Sequence, residues 1–107
     1  MSYDDKIELI ANDLVEFVTR EINKEFYDKI RKQKRHCDFT EAYYKIYKTH
    51  FGDLIDHRIY DKVSVLGGCI YCLFRSICES SIDPGEMNTI MEKYIRLQVT
   101  TMNLWSC

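Results

Sequence analysis

The segment from Val63 to Phe74, VSVLGGCIYCLF, constrains this chain more than any other. It runs twelve residues without a charge in a sequence that is 30% charged, and it holds two adjacent glycines and a C-x-x-C. Three readings compete: a membrane span, a metal or redox motif, and a buried helix. A spanning helix needs about 18 or more apolar residues, so the run is about a third too short. One C-x-x-C without a second pair is a weak zinc ligand set, and Ile70, Tyr71, Leu73 and Phe74 flank it in place of a glycine-rich knuckle. A strand also fits an apolar run, but the twenty-odd residues from His57 to Ser80 contain no turn signal beyond the glycine pair, which favours a helix. A helix that is apolar all round is expected to be buried all round. On that reading Cys69 and Cys72 are core thiols. Gly67 and Gly68 each cost about 1 kcal/mol against alanine in a helix, so neighbours must need a close approach there.

The rest of the chain reads as a helical shell around this segment. One proline and four glycines in 107 residues leave little punctuation for many short strands. The length suits one domain over 1–107, and 46% hydrophobic residues supply one core. Ile7, Ile10, Ala11, Leu14, Phe17 and Val18 recur at helical spacing. Ile22, Phe26 and Ile30 continue the line, with a bend expected near Asn23. Asp38 and Glu41 have the spacing of a capping box. After them Phe39, Tyr43, Tyr47 and Phe51 fall four residues apart, an aromatic helix face with Tyr44 and Ile46 beside it, which Gly52 can end. Asp56 is the next expected N-cap. In SIDPGEMNTI, Asp83 caps, Pro84 takes the first helical position and Glu86 follows. Met87, Ile90, Met91, Tyr94, Leu97, Thr101 and Leu104 are then expected to form the inner face of a last helix running nearly to Trp105. The expected fold is all-α, with five or six helices around a buried central one.

A formal net charge of −2 gives no strong field toward nucleic acid or membranes. The basic run Lys29, Arg31, Lys32, Lys34 and Arg35 is read first as a solvated helix end and second as a nucleic-acid contact. The polar start YDDKIE is unlike a secretory signal, and TMNLWSC carries neither a hydrophobic tail nor a prenylation box. Five cysteines, an odd number, then suggest reduced thiols. These features predict a cytoplasmic protein without its own membrane anchor. His36, His50 and His57 form no metal-binding pattern. There is no nucleophile elbow, phosphate loop or dinucleotide-binding glycine pattern. No enzyme, metal or cofactor is expected.

The segment from Phe39 to Met91 resembles the Bcl-2 family of apoptosis regulators. FTEAYYKIYKTHFGD resembles the helix before that family's first homology motif. DHRIYDKVSVLGGCIYC resembles the motif with the central helix after it, and SIDPGEMNTIMEKYI the next helix. The motif's tryptophan and glycine are missing, with His57 or Tyr60 near the tryptophan position. The second homology motif is absent apart from Trp105. The resemblance implies a minimal pro-survival member, of the kind viruses encode, with a Bcl-2-like bundle. It implies that the protein inhibits apoptosis by holding the BH3 helix of a pro-apoptotic partner in a hydrophobic groove. The groove residues it implies are Tyr44, Tyr47, Phe51, Leu54, Ile59, Val63 and Leu66. Arg58, or Lys62 in the alternative register, would meet the ligand's aspartate. An open groove exposes apolar surface, which predicts a homodimer that shields it. A generic helical interaction module and a nucleic-acid binder acting through residues 29–35 are the alternatives.

Overall fold

The computed structural model describes residues 2–27, 36–102 and 104. They form four α-helices: α1 (Tyr3–Tyr27), α2 (His36–Phe51), α3 (His57–Cys78) and α4 (Pro84–Thr101), with a short 3-10 turn at Gly52–Leu54. No strand occurs among the described residues. The body measures 39 × 22 × 21 Å. In it α1 lies against α2 and α4, α3 lies against the same two helices, and α1 and α3 barely meet. The helices therefore enclose a shared core between them.

Local signals place the boundaries. Asp56 accepts hydrogen bonds from the backbone N–H groups of Arg58 and Ile59 and caps α3. Asp83 does the same for Gly85 and Glu86, with Pro84 opening α4. Gly52 sits at φ +61°, the left-handed conformation that ends α2. Two helix boundaries differ from expectation. The first helix passes Asn23 without a break and runs to Tyr27. The second begins at His36, two residues before Asp38, so the expected cap position lies inside the helix. The basic stretch Lys29 to Arg35 lies outside the described residues.

The core is laid down in four-residue steps. Phe39, Tyr43, Tyr47 and Phe51 of α2 are all buried, as their spacing predicts. Phe39 is the node: its ring centroid lies 5.2 Å from Phe17 of α1, and 5.2 and 5.1 Å from Tyr71 and Phe74 of α3. Beside it α2 and α3 nearly touch. A Cβ placed on Gly67 would lie 3.1 Å from the Cα of Thr40, so any larger residue would have to push the two backbones a few tenths of an ångström apart. On α4 the buried line is Met87, Met91, Ile95 and Val99, while Leu97 is 58% exposed. The inner face was expected through Leu97 and Thr101. Four-residue steps from Met91 turn it toward Ile95 and Val99 instead. His50 Nε2 lies 2.7 Å from an Asp13 carboxylate oxygen and ties the end of α2 to α1.

The central stretch departs most from expectation. Ile59, Val63, Leu66, Gly67, Ile70, Phe74 and Ile77 face the core, but Val65 is 68% exposed and both Cys69 and Cys72 are exposed. Thus α3 is buried along one face and is not buried all round, and the two thiols are not core thiols. Small cysteine, glycine and serine side chains carry too little apolar area to require a neighbour on that side.

Two substitutions test this packing. Phe39→Ala should cost about 3–5 kcal/mol in chemical denaturation, a large share of the stability of a domain this size. Gly67→Ala should destabilise by about 1–2 kcal/mol, although alanine is the better helix former, because the added methyl meets Thr40 backbone.

Candidate functional site

The structure places the nine expected groove residues at the junction of α2, the 3-10 turn and α3, but at two depths. Tyr47, Phe51, Ile59, Val63 and Leu66 are buried and belong to the core. Tyr44 is half-buried. Its ring packs edge-on against Tyr60, with centroids 5.0 Å apart, and the Lys48 ammonium lies 5.8 Å from its centre. Leu54 is 61% exposed on the turn. In this conformation the nine do not line one open groove. The accessible ones, Tyr44 and Leu54 with Arg58, leave apolar surface at the junction among charges of both signs, Lys48 and Arg58 on one hand and Asp53, Asp56 and Asp61 on the other.

The two cations proposed for a ligand's aspartate differ in their settings. The Arg58 side chain is 80% exposed and reaches Asp56 at 3.1 Å. That contact, first among several hydrogen bonds, lowers the Asp56 pKa below its ordinary value. Arg58 therefore stands in solvent at the start of α3, steered by the residue that caps the helix. Lys62 is half-buried and donates to the carbonyl of Leu104 at 3.1 Å. It fastens the chain after α4 to α3.

Two apolar depressions are notable. A pocket of about 410 Å³ is lined by Tyr3, Lys6, Phe51 and Leu54, and it extends the patch across to α1, with the Lys6 ammonium 5.3 Å from the Phe51 ring centre. Spacing within α2 and α3 gave no sign of Tyr3, because its position depends on how α1 folds back. The second is a shallow groove of about 630 Å³ on the far side of α3, lined by Ser64, Val65, Gly68, Cys69, Cys72 and Tyr94. No group of three or more histidine, cysteine or acidic side chains able to hold a metal occurs among the described residues. No helix among them is long and apolar enough to cross a membrane.

Beneath the patch the hydroxyls of Tyr3, Tyr43 and Tyr47 are buried without a hydrogen-bond partner. Burial, reinforced by the neighbouring Tyr47, pushes Tyr43 well above the ordinary phenol value. Burial and the nearby Tyr3 push Tyr47 up as well.

No known protein family matches this chain, and no curated protein or solved structure does.

The tyrosines give the protein an alkaline limit. Above pH about 10 the unfolded chain releases phenol protons that the folded chain keeps. Stability is therefore untouched by Tyr43 and Tyr47 below that pH and falls as pH climbs toward their folded values. In an absorbance titration of phenolate, these two of the eight tyrosines should ionise only together with the loss of helical circular dichroism.

Proposed function

We propose that this protein is a receptor for amphipathic helices of the BH3 type, a Bcl-2-like pro-survival protein that restrains apoptosis by sequestering a death-promoting partner. The observation that carries the reading is the junction of α2, the turn and α3: an exposed Tyr60 against a half-buried Tyr44, an exposed Leu54 lining an apolar pocket, and a solvent-facing Arg58. A helix-in-groove ligand needs sockets for apolar anchors and a cation for its aspartate. The patch offers both within a few turns of chain. Arg58 is the favoured aspartate partner because it stands in solvent, whereas Lys62 holds the Leu104 carbonyl. The ligand would seat first on Tyr44, Leu54 and the pocket. To reach Ile59, Val63 and Leu66 it must displace α2 and the turn from α3, because those residues are buried. Closure of the patch over these residues in the absence of ligand would spare water contact with a large apolar surface.

The test is titration with a panel of BH3 peptides, each paired with an aspartate-to-alanine control. At least one peptide should bind, its control should bind about tenfold or more weakly, and Arg58→Ala should erase that difference while Lys62→Ala leaves it. Absence of binding by monomeric protein, or equal binding of peptide and control, would overturn the proposal.

A further inference from the structure

The outward side of α3 carries a second pattern. Its middle is the exposed line Val65, Cys69 and Cys72, bordering the shallow groove that also contains Ser64, Gly68 and Tyr94. Toward the start of the helix the same line passes through Asp61 to Arg58, and toward the end through Ser76 to Glu79, all exposed. Steps of three and four residues keep these positions on one side of the helix.

We infer that this face docks a second copy of the chain, with the two α3 helices antiparallel. The line is symmetric about the point between Gly68 and Cys69. Turned end for end against itself, it sets Arg58 opposite Glu79 of the second copy, Asp61 opposite Ser76, and Val65 opposite Cys72. Cys69, next to the axis, lies opposite Gly68 and one residue along from Cys69 of the second copy. The charges select the orientation. A parallel pairing would set Arg58, Asp61 and Glu79 each against its own like, whereas the antiparallel one makes two Arg58–Glu79 ion pairs and lets each Asp61 accept from a Ser76 hydroxyl. Gly68 at the centre has no Cβ to hold the helices apart. The contact is self-complementary, as a two-fold dimer requires. This face lies apart from the junction patch except at Arg58.

Sedimentation equilibrium in reducing buffer at about 100 µM, which populates a dimer of micromolar dissociation constant, should give the dimer mass. Val65→Glu and Glu79→Arg should each weaken the dimer about tenfold or more with unchanged circular dichroism, since both sites face solvent. Arg58→Glu combined with Glu79→Arg should restore it. Mild oxidation by diamide, which takes two protons and two electrons from a thiol pair, should join Cys69 to Cys69. At a helix rise of 1.5 Å per residue these lie about 1.5 Å apart along the axis, against about 10 Å for the two Cys72 residues. A monomer mass, a dimer indifferent to both single substitutions, or a Cys72–Cys72 crosslink in place of Cys69–Cys69 would overturn the inference. Val65→Glu leaves the junction patch unaltered, so it separates self-association from peptide binding.

Discussion

The approach of α2 to α3 at Gly67 and Thr40 sets the geometry of everything else. Because no side chain separates the backbones there, Phe39 drops between helices and meets rings from α1 and α3 at once. That node fixes which way α3 is turned. With Gly67 pressed inward, Ile59, Val63, Leu66, Ile70 and Phe74 follow it into the core, and Val65, Cys69 and Cys72 have nowhere to go but outward. The close approach at Gly67 and the polar flanks of the helix thus agree on what it buries and what it presents.

This also explains which parts of the fold were legible in the sequence. Capping is local chemistry, so Asp56 and Asp83 could be read directly, as could the end of α2 at Gly52. The aromatic steps of α2 carry a clear phase and were read correctly. The stretch VSVLGGCIYCLF carries little within itself, because every position is apolar or small; the phase lies in its flanks, where Arg58, Asp61, Ser76 and Glu79 fall on the same side as Val65, Cys69 and Cys72. The same limit applies on α4, where Leu97 and Ile95 are equally apolar and the packing of α1 chooses between them. At the candidate site the residues singled out in the sequence lie on neighbouring elements, but depth is a tertiary property. Tyr44 and Leu54 reach the surface while Ile59, Val63 and Leu66 do not, and Tyr3 enters from a helix some forty residues earlier in the chain.

Arg58 stands where two surfaces meet. It follows the cap of α3, fringes the junction patch and begins the outward line of the same helix. A guanidinium engaged by Glu79 of a second copy is less available to a ligand's carboxylate. On the proposed assignments the two associations are antagonistic, each weakening the other by the same factor, as linkage demands. Protein concentration would then tune ligand affinity without any change in the junction itself.

The three unpartnered phenols between α1 and α2 bias how the molecule fluctuates. Each hydroxyl gives up its bonds to water in the closed state and recovers them when the seam parts, a difference of about 1–3 kcal/mol per group. The ladder of helical hydrogen bonds need not break for that to happen; the helices have only to separate. The seam is therefore the natural line of sub-global opening, and it runs directly beneath Phe51 and the pocket at Tyr3. With three phenols unsatisfied side by side, this seam has less to lose by parting than a fully bonded one would.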